Sequence, residues 1–337
     1  MGKNKNGTLF FSDPPCIAGR YAIAGRNESE GPLGKYFDEC IGDALWGEDT
    51  FEKCERKLFM TAAENAAKRA SMDIKNADVL LGGDLLDQII SAGYSARELG
   101  LPFLGLYGAC STYAEGLITA SALIDGGFAD NALCAVSSHF GACERQFRYP
   151  LELGTPKTPN SQNTVTGAAA ALVSRRGKRS LPVITCATIG RVVDAGLRDA
   201  NNMGAAMAPA AVETVITHLE NTGTSVRDYD AIITGDLGHF GSRIFGEFSA
   251  MAGTDTDGRY CDCGAMIFRG CKNEYCGGSG CACGAVVMNS YFLPGLEKGR
   301  FSRILFAATG ALLSPTSVLQ KESIPCIAHA LTFERRM

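Results

Sequence analysis

The stretch FLGLYGACST (residues 103–112) decides the fold of this chain. Its apolar first half is typical of a short buried strand, and the pattern from Ser111 to Asp125 is that of a helix. Cys110 therefore lies at a helix start, where free backbone amides and the helix dipole favour a thiolate. The sulfur is either a nucleophile or part of a ligand-binding floor, and a buried structural cysteine is the alternative.

Strands and helices alternate on both sides of this stretch. An apolar strand over residues 77–81 ends in Gly-Gly-Asp at Asp84, and a further strand, Ala132–Ser137, is followed by His139. This βαβ alternation predicts a layered α/β sheet with its functional residues at the carboxyl ends of the strands. Asp84, Cys110 and His139 all occupy such positions.

The second half of the chain repeats this order. The sequence VLLGGDL at 79–85 is echoed by AIITGDL at 231–237, so Asp236 is the counterpart of Asp84. A glycine-rich turn followed by cysteines recurs at 277–283. Such ordered matches predict a duplicated α/β unit, with coincidence among short strands as the alternative.

The duplication divides the chain into a half over residues 1–180 and a half over residues 181–337. The first half contains Cys110 and an unusually long loop, residues 139–166, which has no counterpart of equal length in the second half. A long loop in a compact fold is typically a lid, a binding element or a partner surface.

Six short motifs follow one another along the chain: GDLL at 83–86, GACST at 108–112, ERQFRYP at 144–150, MAPAA at 207–211, GGSGCAC at 277–283 and ATGALLSP at 308–315. Together they resemble the thiolase and ketoacyl-synthase superfamily and, within it, the stage V sporulation protein AD family. The resemblance covers essentially the whole chain. It implies a duplicated, five-layered αβαβα thiolase-like fold and a homodimer paired through the strand Ala132–Ser137.

The same resemblance implies a function in spore-forming bacteria. The protein is expected to bind dipicolinic acid (pyridine-2,6-dicarboxylate), free or as its calcium chelate. It would act in uptake of this acid into the forespore and in its release at spore germination, beside small membrane-embedded sporulation proteins. The expected location is the cytoplasm or the surface of the spore inner membrane, without a transmembrane segment or signal peptide.

Acyl transfer through Cys110 is the alternative function. A condensing enzyme also needs a proton-transfer group and donors for an oxyanion, which the superfamily supplies from second-half loops. Here the first of these loops has Asp236 where a histidine or asparagine is expected, and the second is GGSGCAC where thiolases carry Gly-His-Pro. We therefore expect binding rather than turnover, while His139 and His239 stay open as partners of the sulfur.

The predicted ligand-binding residues come from both halves and are expected to meet in one pocket: Asp84, Cys110, Ser111, His139, Arg148, Asp236, Ser279 and Cys283. Arg148 lies between Phe147 and Tyr149 in the long loop. A guanidinium group holds a carboxylate through two parallel hydrogen bonds, which suits a planar dianion. The alternative is a structural ion-pair network that includes Arg145.

Composition and cysteine usage exclude several other classes. The net charge is −4 with basic residues scattered, which is unlike a nucleic-acid-binding protein. Fourteen cysteines in a long chain without a secretory signal are expected to be reduced thiols. Six of them lie close together, at 261, 263, 271, 276, 281 and 283, and this density makes a metal centre the alternative. Their C-x-C spacing is unlike structural zinc sites, so no metal and no cofactor is expected.

Overall fold

The computed structural model describes residues 3–146, 151–154, 156–178, 180–256, 258–272 and 274–336. The strands of the first half are β1 (Lys3–Lys5), β2 (Thr8–Phe10), β3 (Cys16–Ala24), β4 (Glu39–Cys40), β5 (Val79–Gly83), β6 (Phe103–Gly105), β7 (Asn131–Ser138), β8 (Asn163–Thr164) and β9 (Gly167–Ser174). Its helices are α1 (Arg26–Ser29), α2 (Phe51–Arg69), α3 (Ile90–Leu99), α4 (Thr112–Asp125) and α5 (Phe140–Glu144).

The second half follows the same alternation. Its strands are β10 (Pro182–Thr188), β11 (Ala231–Thr234), β12 (Tyr260–Asp262), β13 (Gly278–Ser279), β14 (Arg303–Ala311) and β15 (Cys326–Arg335). Its helices are α6 (Met203–Thr222), α7 (Gly238–Met251), α8 (Cys263–Ile267), α9 (Cys281–Val287), α10 (Leu293–Glu297) and α11 (Pro315–Leu319). A π-helical turn, Met288–Phe292, joins α9 to α10.

Each half contributes five strands to the main sheet in the same spatial order. The first half runs β3-β9-β7-β5-β6, and the second half runs β10-β15-β14-β11-β12. In both, the last strand along the chain is antiparallel to its two neighbours and the remaining pairs are parallel. This repetition confirms the predicted duplication of the fold, while the division at residue 180 stays a prediction.

Helices cover the strands in layers. Helices α2 and α3 pack on the outer face of the first five strands, and α6 and α7 pack on the outer face of the second five. Helices α4 and α9 lie between, where α4 contacts β7 of the first half and β14 and β15 of the second. The three largest clusters of buried apolar side chains in the described residues are accordingly a central one and two outer ones. The predicted five-layered αβαβα architecture is confirmed.

Strand β9 shows why the layers come so close. Its sequence, GAAAALVS, is buried along its whole length. A strand covered on both faces is apolar throughout rather than alternating. Here the apolar residues are mostly alanine, and their small side chains let α2 and α9 approach the strand from opposite sides.

The predicted dimer strand is wrong. Strand β7 pairs with β5 on one side and with β9 on the other, so its backbone hydrogen-bonding groups are already used within the chain. A strand in the middle of a sheet has no free edge to offer a second protomer. Whether the protein dimerises stays a prediction.

Candidate functional site

A pocket of about 370 Å³ lies where the two halves meet. Cys110 enters its wall from the first half and Ser279 from the second. The long loop of the first half supplies Gln162 and Thr164, and the start of α6 supplies Met203. A pocket of this size, mostly apolar with a few polar groups, is typical of a small-molecule site.

The backbone around Cys110 is held in an unusual conformation. Cys110 lies in a short 3-10 turn, Ala109–Ser111, directly before α4. Ala109 has φ = 51°, which falls in the left-handed region that alanine rarely adopts. Its carbonyl oxygen accepts hydrogen bonds from Thr112 Oγ1 at 2.6 Å and from Cys281 Sγ at 3.0 Å. These two hydrogen bonds stabilise the strained backbone conformation at Ala109. That conformation directs the side chain of Cys110 towards the pocket.

A chain of hydrogen bonds runs from Cys110 into the second half. Ser279 Oγ donates to Asp236 Oδ2 at 2.6 Å, and Thr309 Oγ1 donates to Asp236 Oδ1 at 2.6 Å. The backbone amide of Gly280 also donates to Asp236 Oδ2, at 3.2 Å. Because the hydroxyl hydrogen of Ser279 is used in this way, Cys110 is the donor across the 3.7 Å contact between Cys110 Sγ and Ser279 Oγ.

This arrangement favours a thiol at Cys110 and not the predicted thiolate. Burial raises the pKa of the Cys110 thiol well above its ordinary value of 9.0, and the neighbouring Asp236 carboxylate raises it further. Burial also raises the pKa of Asp236, against the hydrogen bonds that its carboxylate accepts from Ser279, Thr309, Cys110 and the amide of Gly280. The helix start favours an anionic sulfur, but burial beside a carboxylate outweighs it.

Asp84 does not line the pocket. Its Oδ1 accepts a hydrogen bond from the amide of Leu86 and its Oδ2 accepts one from the amide of Ala92, each at 2.7 Å. Burial raises the pKa of Asp84 to about 6. Asp84 ties the end of β5 to α3, so both of its oxygens have partners within the first half.

His139 also lies away from the pocket lining. Its Nδ1 accepts a hydrogen bond from the amide of Gly141 at 3.0 Å, so its Nε2 carries the hydrogen and donates to the carbonyl of Ala44 at 2.8 Å. The ring stacks on Phe51 with 5.0 Å between centroids. Burial lowers the pKa of His139. Both ring nitrogens are engaged away from Cys110.

The other histidines also have their hydrogen-bond partners away from Cys110. His239 contacts Glu274 through Nε2 at 2.5 Å. His218 is buried between Thr188 and Thr332, and His329 accepts a hydrogen bond from the amide of Gly190. All four histidines of the chain lie in the described residues, and none of them lines the pocket.

The remaining predicted residues are Cys283, Ser111 and Arg148. Cys283 is buried, with its sulfur 3.6 Å from the carbonyl oxygen of Gly235. Ser111 Oγ donates to the carbonyl of Gly108 at 2.6 Å. Arg148 lies outside the described residues. The structure thus brings Cys110, Ser279 and, behind them, Asp236 together, whereas Asp84, His139 and Cys283 face other parts of the protein.

Arg145, the residue of the alternative ion-pair network, has structural partners. Its Nη2 pairs with Glu52 Oε1 at 3.0 Å, and its Nε donates to the carbonyl of Gly141 at 3.1 Å. The guanidinium also lies 5.4 Å from the centre of the Phe51 ring. These contacts attach the beginning of the long loop to α2.

Gln162 and Thr164 are among the residues of the pocket wall that the sequence analysis did not single out. The two residues of β8, Asn163 and Thr164, pair in parallel with Gly278 and Ser279 of β13. This small sheet carries the end of the long loop to the side of Ser279. The signal for these residues in the sequence was the length of the loop. It indicated a binding element but did not indicate which residues bind.

The cysteines between residues 261 and 283 do not form a metal centre in the part of the chain described. No three His, Cys, Asp or Glu side chains there are placed to hold one ion. Burial raises the pKa of Cys263 and of Cys281 well above the ordinary value for a thiol.

Comparisons with known proteins agree with this architecture. A family model described as stage V sporulation protein AD matches residues 5–334. Stage V sporulation protein AD of Bacillus subtilis (strain 168) is 43% identical over 328 residues, which cover 97% of this chain and 96% of that protein.

Solved structures resemble the fold at low sequence identity. 3-Oxoacyl-[acyl-carrier-protein] synthase III from Aquifex aeolicus VF5 gives a TM-score of 0.58 at 14% identity, covering 95% of this chain and 99% of that one. A variant of Xanthomonas campestris OleA gives a TM-score of 0.63 at 17% identity, covering 98% and 99%. At such identities the likeness shows the fold alone. Among the described residues, no helix has the length and apolar character needed to cross a membrane.

Proposed function

The chain belongs to the stage V sporulation protein AD family, and from this premise we propose that it binds dipicolinic acid in the pocket beside Cys110. In this proposal it acts as a binding protein in uptake of the acid into the forespore and in its release at germination. Small membrane-embedded sporulation proteins and a second copy of the chain are the proposed partners.

One observation carries the choice of binding over catalysis, namely that Cys110 has no imidazole beside it. In acyl transfer through a cysteine, a base removes the thiol proton and donors hold the oxyanion. Here the thiol donates to Ser279, whose own hydrogen goes to the buried Asp236. None of the four histidines lines the pocket. The sulfur is therefore one wall of a binding site.

The dimensions of the pocket support a small ligand. Its volume of about 370 Å³ falls at the lower end of the range for small-molecule sites. Leu85, Met203 and Met207 line it with apolar surface, which suits one flat aromatic ring. Ser279, Gln162 and Thr164 place polar atoms in the same wall.

Acyl transfer is the competing function, because Cys110 reaches the pocket and the fold is that of condensing enzymes. A titration and an activity assay separate the two. We expect purified protein to bind dipicolinate by calorimetry, to bind isophthalate (benzene-1,3-dicarboxylate) more weakly, and to leave acetyl-coenzyme A intact.

The Cys110→Ala variant tests the role of the sulfur, with Cys40→Ala as the control because Cys40 is exposed and does not line the pocket. Both variants should keep dipicolinate affinity within about threefold of the unmodified chain. Turnover of an acyl-coenzyme A that Cys110→Ala abolishes and Cys40→Ala preserves would establish the enzyme instead.

A further inference from the structure

A second pocket, of about 410 Å³, lies beside the first. Glu144 and Thr164 line both, so these two residues form a wall between the cavities. Helix α1, the long loop and the segment that follows α8 supply the remaining walls. Cys110 and Ser279 do not line this second pocket, and the proposed function gives it no ligand.

Glu28 places a carboxylate oxygen in the wall of the second pocket. The residue is 3% exposed and lines this cavity. Its Oε1 accepts the amide hydrogen of Thr166 at 3.0 Å, whereas Oε2 has no hydrogen-bond donor among the described residues and is not fully buried. Gly25 closes one side of Oε2, since a β-carbon at that position would lie 2.4 Å from the oxygen. The accessible surface of Oε2 is therefore open to an occupant of the cavity.

No positive charge in the described residues is paired with Glu28. Arg26, its neighbour on α1, lies 3.5 Å from Glu30, and Lys157 of the pocket wall pairs with Glu144 at 3.1 Å. Burial raises the pKa of Glu28 to about 7, and only hydrogen bonds from backbone amides oppose the rise. A buried carboxylate without a cation is costly, and such a group in the wall of a cavity is a candidate for ligand binding.

Aromatic rings give the same cavity an apolar surface. Phe268 is 4% exposed, Phe140 and Tyr275 are 37% and 42% exposed, and all three line the cavity. Such rings cover an apolar group and also attract a cation. The ammonium of Lys157 already lies 4.8 Å from the centre of the Phe140 ring. The wall thus suits a ligand with an aromatic body.

The lysines in the wall restrict the charge of the ligand. Lys157 is offset by Glu144, and Lys272 is exposed, where solvent and salt screen its charge. Glu28 remains a buried charge of this cavity without an ion-pair partner in the described residues. One positive charge on the ligand compensates it, whereas a second positive charge would be repelled by both lysines.

We propose that the second pocket binds an organic cation with one ammonium group and an aromatic body. Glu28 Oε2 accepts a hydrogen bond from the ammonium, and Phe140, Phe268 and Tyr275 cover the body. A charge-assisted hydrogen bond of this kind compensates the buried carboxylate. The site goes beyond the proposed function, because it is separate from the pocket beside Cys110 and needs no dipicolinate.

Three probes with the same phenyl ring test the charge of the ligand. Phenethylamine carries an ammonium group, phenethyl alcohol is its neutral counterpart, and hydrocinnamate carries a carboxylate. Each is titrated by calorimetry into the full chain at pH 8, where a carboxyl with a pKa of about 7 is mostly ionised. The same titrations use Glu28→Gln, which keeps the acceptor for Thr166 but removes the charge. Glu220→Gln is the matched control, because Glu220 is exposed and lines neither pocket.

We expect the unmodified chain to bind phenethylamine most tightly and hydrocinnamate most weakly. A hydrogen bond between charged groups contributes about 10- to 150-fold in affinity, so phenethylamine should bind at least about tenfold more tightly than phenethyl alcohol. Glu28→Gln should weaken phenethylamine by at least about tenfold and leave phenethyl alcohol within about threefold, while Glu220→Gln should change neither.

A competition titration locates the amine. With dipicolinate in excess, phenethylamine should bind with unchanged affinity, because the two ligands occupy different cavities. Displacement of the amine by dipicolinate would place it in the first pocket and overturn the inference. If dipicolinate does not bind at all, the proposed function is wrong, whereas the comparison of the three probes still decides this inference.

Three further results would overturn the inference. They are binding of phenethyl alcohol or hydrocinnamate as tightly as phenethylamine, full affinity for the amine in Glu28→Gln, and absence of binding by every probe. If Glu28→Gln does not fold, the comparison of the three probes on the unmodified chain decides the question.

Discussion

Replacement of Glu28 by glutamine should remove a pH-dependent loss of stability. Glu28 is 3% exposed, and its Oε1 accepts a hydrogen bond from the amide of Thr166 at 3.0 Å. Burial raises the pKa of this carboxyl from its ordinary value of 4.5 to about 7, although hydrogen bonds from backbone amides oppose the rise. A neutral amide keeps the acceptor for Thr166 and imitates the protonated acid.

The sign follows from the raised pKa. Below pH 4.5 both the folded and the unfolded chain hold this proton, so Glu28 does not affect stability. Between pH 4.5 and 7 only the folded chain holds it, and the free energy of unfolding therefore falls as pH rises. Since each tenfold change in a protonation equilibrium is about 1.4 kcal/mol, the full loss above pH 7 is about 3 kcal/mol.

Urea unfolding followed by circular dichroism from pH 4.5 to pH 8 measures this effect. Glu28→Gln should match the unmodified chain at pH 4.5 and exceed it by about 3 kcal/mol at pH 8. Burial also raises the pKa of Asp84 to about 6, which gives the unmodified chain a further fall of the same sign. The difference between the two proteins isolates Glu28. Glu30→Gln, at an exposed position, is the control for removing one negative charge. A difference that is constant with pH would refute the reasoning.

Two further predictions concern the site. Arg148→Ala should lower dipicolinate affinity at least tenfold by calorimetry, with the melting temperature and oligomeric state near those of the unmodified chain. An unchanged affinity, or a chain that no longer folds, would give this arginine a structural role. Asp236→Ala should lower the free energy of unfolding in urea by about 3–6 kcal/mol, because two short hydrogen bonds to a buried carboxylate are lost at about 1.5–3 kcal/mol each. A change below about 1 kcal/mol would mean that Ser279 and Thr309 find other acceptors.

The elements around the nucleophile position were predictable because local pattern determines them. The strand before Cys110, the helix after it and the repetition of GDL at Asp84 and Asp236 follow from hydrophobic periodicity and from small residues at turns. The expectation that this strand is buried was wrong, because β6 is the edge strand of the sheet and Leu104 is exposed. The duplicated order of five strands then follows, because β-α-β crossovers leave few arrangements open. Whether a strand has a free edge for a dimer could not be predicted in the same way, since only the order of strands in the sheet shows that β7 has a neighbour on each side.

The protonation state of Cys110 was beyond local pattern. A helix start favours a thiolate, but the sulfur is packed against Ser279 with Asp236 behind it, and those residues are about 170 and 130 positions away, respectively, along the chain. Their proximity depends on how the two halves pack. The position of His139 after a strand predicted a side chain in the pocket. The packing of the fold instead directs its ring towards Ala44 and Phe51.

The sequence by itself determined the order of elements, their duplication and the cysteine at the head of α4, because each of these is encoded within a few turns of helix or one strand. Only the tertiary structure decided which side chains share the pocket and where their hydrogens point. Gln162 faces the pocket because β8 pairs with β13 across more than 110 residues of sequence, and its amide is oriented by the carbonyls of Asp236 and Gly278. Hydrogen-bond direction depends on partners brought together by folding, and no local pattern specifies it.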